Sequence, residues 1–490
     1  MILNLLTNLS YYIPELICII LMCSLLFLEA SYGSKEKERT LVFVATFIGL
    51  TLALASLVSN MSLEPKAIFA NAVVIDKFST LMKIVMVIGT MATAYLSYLS
   101  KDIYKGLKSE FLIMSVGVLI GGMLLASANN LLTVYLGIET LSILSYVMSS
   151  FKRHESISTE AGIKYALYGG ISAGVMLFGM SHIYGLLGTI QFNDMIPVMA
   201  DMEGFELYTL LIAFVFYFAG IGYKIACFPF HMWSPDVYQG SPIPVTTFFA
   251  IVPKFAGIAV LVRTTFTFFG VEGGEMQIGW VGLIQVIAAL TMTVGNVSAI
   301  GQDSVKRLLA FSSIGHVGMI LLGLVTISAN STKIILFYSI TYMFMTLIAF
   351  YVTSSVSDKY GTDSHSVFKG LIKNNPFMAI VMSLTLFSLA GMPPLSGFVA
   401  KFNMLSAIIE SKYYALAFIA AINSVISLYY YVRLVKIMII DAPESENTIS
   451  NLGITGNILL GIYAVPVFLL GIFWEKVMLI SEGAKIYIFQ

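Results

Sequence analysis

Five lysines fall inside apolar stretches of this chain: Lys83, Lys164, Lys224, Lys254 and Lys401. A lysine at the centre of a membrane helix costs ~2.5 to 3.5 kcal/mol on the insertion scale, so each needs a partner, a way to the membrane surface, or a use. Lys254 lies about eleven residues into its stretch, ~16 Å deep at the helical rise and too far for easy snorkelling. Lys224 belongs to GIGYKIACFPFHMWSPDVY, Gly220 to Tyr238, where Pro229, His231 and Pro235 follow it and interrupt the helix. An interrupted helix in hydrocarbon frees backbone N–H and C=O groups, which is tolerated only where protein or a water-filled cavity surrounds them. Lys401 stands beside a second interruption, SLAGMPPLSGFVAKF, Ser388 to Phe402. Lys164 is a few residues from Lys152 and Arg153, so snorkelling accounts for it as well as chemistry does. Lys83, about two turns beyond Asp76, is expected to snorkel or to pair locally.

A carboxylate and two imidazoles extend this set. Glu139, in YLGIETLSILSY, is expected about eight residues and ~12 Å into its stretch, deeper than any other acid. Burial penalises the charged forms of Glu and Lys alike, and pairing restores them. A Glu–Lys set whose pairing changes can therefore take up and release a proton; the alternative is a fixed ion pair that holds two helices together. Imidazole can receive a proton at one nitrogen and pass it from the other. His316, in RLLAFSSIGHVGMI, lies about twelve residues into its stretch with Ser312 and Ser313 one turn earlier, and His231 follows Pro229. His182 has no polar company and reads as packing, while His154 and His365 fall in loops.

These groups must be positioned by membrane helices. The 490 residues are 58% hydrophobic and 11% charged, with a mean hydropathy of +0.89, too apolar for a water-soluble domain of that length. Basic and acidic residues balance at 27 each, which gives no sign of a nucleic-acid partner. Cys18, Cys23 and Cys227 form no CxxC or metal-ligand spacing, so neither a metal site nor a cofactor site is expected in this chain. The first apolar run has no basic residue before it and no small-residue cleavage site, and is expected to be a true span.

The sequence predicts an all-α polytopic membrane protein of about fourteen spans. They fall near 11–30, 41–60, 78–99, 111–128, 131–150, 161–188, 207–227, 243–263, 279–299, 304–327, 333–355, 376–391 with 395–410 as one divided span, 412–434 and 456–475. Alternate loops are rich in Lys and Arg, among them Lys101, Lys105, Lys108, Lys152, Arg153, Lys306, Arg307, Lys359, Lys369, Lys373, Arg433 and Lys436. The other loops hold few bases, such as Lys66, Lys77, Lys333 and Lys412, with Arg263 at their border. Basic loops stay in the cytoplasm, which places both termini outside.

The interruption at Pro393 and Pro394 comes five spans after that at Pro229, and an odd number reverses the direction of crossing. Two inverted five-helix repeats are therefore expected, each with a broken helix, the seventh and twelfth spans. The expected division is 1–110 for three N-terminal spans, 111–270 and 271–437 for the repeats, and 438–490 for a loop and the last span. The pairs Gly117 with Gly121 and Gly170 with Gly174 suggest close helix packing.

Three segments, PFHMWSPDVYQGSPIPVTTFFAIVPKFAG (Pro229 to Gly257), KRLLAFSSIGHVG and GMPPLSGFVAKF, make the chain resemble the antiporter-like membrane subunits of respiratory complex I and of the Mrp cation/proton antiporters. The resemblance spans nearly the whole chain. It implies a central hydrophilic axis through Glu139, Lys164, Lys224, Lys254 and Lys401, along which the imidazoles of His231 and His316, by their own chemistry, are expected to relay. Within the family the chain is most similar to the N-type subunit of NADH:quinone oxidoreductase, since it lacks the long lateral helix of the largest member and has lysine where the middle member usually has glutamate. The resemblance implies proton translocation without redox chemistry here. NADH, FMN, iron–sulfur clusters and quinone would belong to partner subunits, antiporter-like neighbours would flank this one, and membrane lipid would surround it in a bacterial cytoplasmic membrane. The plastid form is similar in length. An Mrp-type antiporter subunit, a membrane subunit of a related hydrogenase, and a structural scaffold of static ion pairs are the alternative functions.

Overall fold

A computed structural model describes residues 8–32, 36–270, 275–442 and 453–481. Lys35, Lys485 and most of the 440–455 segment lie outside them. The chain is a helical bundle. Three helices come first, α1 (Ile13–Tyr32), α2 (Glu36–Asn60) and α3 (Lys77–Leu99), with a small antiparallel hairpin, β1 (Lys66–Ile68) and β2 (Val73–Ile75), before α3. Next come α4 (Lys108–Ala126), α5 (Leu131–Ser149), α6 (Ser156–Leu187), α7 (Phe205–Ile225), the short α8 (Trp233–Gly240) and α9 (Ile243–Phe269). The second half contains α10 (Glu275–Ile300), α11 (Val305–Leu321), α12 (Ala329–Tyr360), α13 (Pro376–Ala390), α14 (Ser396–Glu410) and α15 (Tyr414–Ile439). The chain then forms α16 (Gly453–Ile472) and α17 (Trp474–Ile480).

Among the described residues twelve helices are long and apolar enough to cross a membrane, and α16 with α17 makes a thirteenth if that bent pair is one span. The pair α13 and α14, 15 residues each, is too short to cross singly. Joined across the break they complete the expected fourteen. The α17 segment does not prolong the last span but turns 91° away from α16.

All 27 residues of α9 are buried, so this helix is the centre of the bundle. Lys254 cannot reach lipid or either surface from it. Gly121 brings α4 against α5: a Cβ there would stand 2.9 Å from Leu141 N and 3.1 Å from Gly137 O. The Gly170 and Gly174 expectation fails, since nothing lies within 4 Å of a Cβ at either. Both sit on exposed faces of α6.

Two buried ion pairs fasten α3, one to α1 and the other to α9. Lys83 meets Glu15 of α1 at 2.5 Å, with both side chains at most 1% exposed. Lys83 is thus paired, though across helices and not with Asp76. Glu15 also corrects the depth ranking that put Glu139 first, because distance along one helix does not measure burial by neighbouring ones. Asp76 caps α3, accepting from Ser79 N at 2.8 Å, and takes Arg263 Nη2 of α9 at 2.9 Å. Arg263 is 1% exposed and therefore belongs to the core, not to a loop border. Removing one partner from such a pair is strongly destabilising, ~3 to 5 kcal/mol, because a bare buried charge remains.

Candidate functional site

Helix α7 ends at Ile225 because Ala226 adopts a left-handed conformation, φ 59°. The chain then passes Phe228–Pro229 and starts again at Trp233. Helix α13 ends in the same manner at Gly391, φ 90°, and α14 starts after Pro393–Pro394. Gly391 has a second reason to lack a side chain: a Cβ would stand 2.9 Å from Lys401 Cδ. The two breaks thus present a lysine each, Lys224 in the last turn before one and Lys401 in the second turn after the other.

Lys224 is 1% exposed. Its ammonium donates to Ser142 Oγ at 2.9 Å and lies 3.5 Å from the Tyr165 hydroxyl. Glu139 stands one turn before Ser142 on α5, half-buried, and makes no ion pair with Lys224. Lys254, also 1% exposed, donates to Ser313 Oγ at 2.6 Å and sits 5.3 Å above the Tyr238 ring. Lys401 donates to the carbonyl left free at Ala390, 3.0 Å away, and lies 3.4 Å from Ser427 Oγ.

His316 joins the last two lysines. Its Nδ1 is 2.7 Å from the Tyr338 hydroxyl and its Nε2 is 3.2 Å from the Tyr431 hydroxyl, which also bonds Ser312. When the ring is neutral one hydroxyl accepts from it and the other donates to it; when it is protonated both accept. A cavity of about 10 Å³ touches His316, Lys401 and Ser427, room for roughly one water. His231 is buried against Phe228, and its Nδ1 meets no partner among the described residues. Orphaned polar atoms recur nearby at Ser234 Oγ and Tyr238 Oη. A buried polar group is rarely left unbonded, so this face of α8 is suited to ordered water.

Lys164 is not brought to the axis. It is 35% exposed and pairs with Asp236 at 2.6 Å and Glu160 at 2.7 Å. Asp236 also holds Arg307 at 2.7 Å, and Lys306 donates to Gln239 O at 2.6 Å and Ser241 O at 3.2 Å. Helix α8 is therefore clamped to α6 on one side and α11 on the other. In the adjoining basic loop, burial opposes the Lys152 ammonium, but Asp102 at 2.5 Å and Glu155 outweigh it and raise its pKa.

Sequence reasoning brought Lys224, Lys254, His316 and Lys401 to one buried site and noted Ser312 and Ser313. It missed Ser142, Tyr165, Ser427 and Tyr431, which carry no mark among the chain's many hydroxyls. Asp236 was in plain view inside the Gly220 to Tyr238 segment, where an acid next to a break was its only signal. Among the described residues no cluster of His, Cys, Asp and Glu could hold a metal ion.

A family profile described as NADH:quinone oxidoreductase/Mrp antiporter, TM, matches residues 128–427. NADH-quinone oxidoreductase subunit N of Nitrosomonas europaea is 36% identical over 480 residues, 96% of each chain. That of Anaeromyxobacter sp. is 34% identical over 473 residues, 92% of this chain and 91% of the relative. A chain of respiratory complex I from Thermus thermophilus with bound aureothin has a TM-score of 0.80 at 28% identity, covering 95% of this chain and 98% of that one. A chain of the Mrp complex from Dietzia sp. has a TM-score of 0.83 at 20% identity, covering 99% and 97%, a likeness of fold alone. With the profile covering the segment that holds both breaks and all three buried axis lysines, the chain belongs to the NADH:quinone oxidoreductase/Mrp antiporter family of membrane subunits.

Proposed function

We propose that the chain is the N-type membrane subunit of a proton-translocating NADH:quinone oxidoreductase and that it carries protons along its buried lysines. The observation that carries this reading is the line of polar groups between Lys254 and Lys401: Lys254 meets Ser313, His316 meets Tyr431 and Lys401 meets Ser427, with Ser313 and His316 one turn apart on α11 and Ser427 and Tyr431 one turn apart on α15. No redox group is needed in that run. NADH, FMN, iron–sulfur clusters and quinone belong to partner subunits, and other antiporter-like subunits flank this one in a bacterial cytoplasmic membrane.

In this mechanism a proton enters from the basic-loop side near Lys164 and Asp236 and loads Lys224. Glu139 tunes Lys224 through space, favouring its charged form. Transfer continues past His231 to Lys254 and then along the polar run to Lys401. Exit follows at the second break. Moving one charge against 100 mV costs ~2.3 kcal/mol, which a driving event elsewhere in the complex supplies as altered proton affinities. The translocase role of this subunit thus lies in proton handling.

Lys224→Ala tests the proposal. The assembled complex should form, by native gel, while pumping into vesicles and coupled NADH oxidation fall at least about ten-fold, equivalent to 1.4 kcal/mol. Normal pumping would sink it. A requirement for sodium in the same vesicles would instead favour a cation/proton antiporter.

A further inference from the structure

The perpendicular turn of α17 creates a cleft that the proton route does not use. Helix α16 is 20 residues long, ~30 Å and enough to cross the hydrocarbon, so Trp474 at the start of α17 stands at interface depth. Between α17, the first turns of α12 and the end of α14 lies an open cleft of about 430 Å³, within the range of small-ligand sites. It is at the base-poor end of the bundle, opposite the loops of Lys152 and Lys306.

The walls divide by chemistry. Asn330 and Lys333 line one side from the first turns of α12, where a 32-residue helix presents its positive end. Glu410 and Glu475 line the cleft from the end of α14 and the start of α17. Trp474 and Met478 add an apolar wall, and tryptophan is the side chain that favours the membrane interface. A simple anion would meet two carboxylates, and a simple cation would meet Lys333 and the helix end. A zwitterion with its charges a few ångströms apart satisfies both.

Helix geometry separates this cleft from proton exit. At 100° per residue, Asn403, Ser406 and Glu410 lie roughly 140 to 200° around α14 from Lys401. Lys401 faces the break and Ser427, so the cleft is on the opposite face. We propose that it is a binding site for the headgroup of a phosphatidylethanolamine-type lipid. The phosphate lies against Lys333 and the α12 start, and the primary ammonium against Glu410 and Glu475. A primary ammonium donates hydrogen bonds to carboxylates; a quaternary one cannot, and would prefer an aromatic cage. The site therefore discriminates ethanolamine from choline headgroups as well as from glycerol headgroups.

The test is native mass spectrometry of the full chain in detergent with an equimolar mixture of phosphatidylethanolamine, phosphatidylcholine and phosphatidylglycerol. One phosphatidylethanolamine should be retained per chain with at least about ten-fold preference over each competitor, 1.4 kcal/mol. Glu410→Gln with Glu475→Gln should erase the preference over phosphatidylcholine, and Lys333→Gln should weaken retention of all three lipids. Should the double variant fold poorly, Ser406→Trp fills the cleft while keeping all three charged side chains, losing only the Ser406 bond to Glu410 at 3.0 Å, and should abolish selective retention. Equal retention of the three lipids by the wild type, or selectivity unchanged in the well-folded carboxylate or cleft-filling variant, would overturn the assignment. So would cross-linking of Glu475 to a neighbouring subunit in the assembled complex with the lipid displaced.

Discussion

The two stretches of the buried axis are built from different materials. From Lys254 to Lys401 every step has a hydroxyl or an imidazole: Ser313 at 2.6 Å from the first lysine, His316 between two tyrosines, and Ser427 one turn from Tyr431 on α15. From Lys224 to Lys254 the space is filled by rings. Tyr165 stacks on Trp233 at 4.4 Å, and Trp233 leads to Tyr238, beneath Lys254. The indole N–H of Trp233 is already engaged by Tyr223 O at 2.9 Å. The second stretch is a relay made of side chains. The first is interrupted by aromatic surface, and the α8 stretch beside it carries polar atoms without a partner among the described residues, at His231, Ser234 and Tyr238. Control of transfer is therefore expected at α8, which is held on both sides by Asp236 and Lys306.

The difference can be broken by substitution. The largest effect should come from Lys401→Met, which removes the end station of the side-chain relay; coupled turnover of the assembled complex should fall at least about ten-fold. His316→Leu should follow closely, since His316 meets the Tyr338 and Tyr431 hydroxyls between the two lysines, and retained pumping in vesicles would show that the second stretch also runs on water alone. Tyr431→Phe removes the hydroxyl shared by His316 and Ser312, and leaving such buried groups unsatisfied costs ~1 kcal/mol or more. A fall of about five-fold in turnover should result, whereas Trp233→Phe, outside that relay, should change the rate by a smaller factor or raise it.

The breaks themselves offer a further contrast. Gly391→Ala places a Cβ at positive φ and against the Lys401 stem, so the purified chain should lose about 1 to 2 kcal/mol of stability. Ala226→Gly, at a left-handed position already carrying that strain, should leave the melting temperature unchanged or raise it slightly. The smallest effect should be that of Lys164→Met. Its ion pairs are partly exposed and worth ~0 to 1 kcal/mol, so the melting temperature of the purified chain should hardly change.

Much of this was legible from residue order. Apolar runs of membrane length gave the spans, and the two proline interruptions beside lysines marked the breaks. The three lysines at the axis were singled out because burial of an ammonium is costly wherever the helix places it. Lys164 was less legible, for the same run of residues fits either a wet or a dry face. Glu15 escaped because it sits near the start of its helix, where sequence depth suggests solvent, and Arg263 because its span was expected to stop at 263 whereas α9 continues to Phe269. The bend of α17 was hidden in a run that reads as the tail of one span.

The sequence by itself determined that this chain lives in a membrane, that two of its helices break, and that Lys224, Lys254 and Lys401 stay in hydrocarbon. Those follow from transfer free energies and from proline, which act residue by residue. Tertiary structure decided which charges meet: Lys83 with Glu15, Arg263 with Asp76, Lys164 with Asp236, and Lys254 with a serine. Such pairings depend on helix rotation and packing, to which hydropathy is blind.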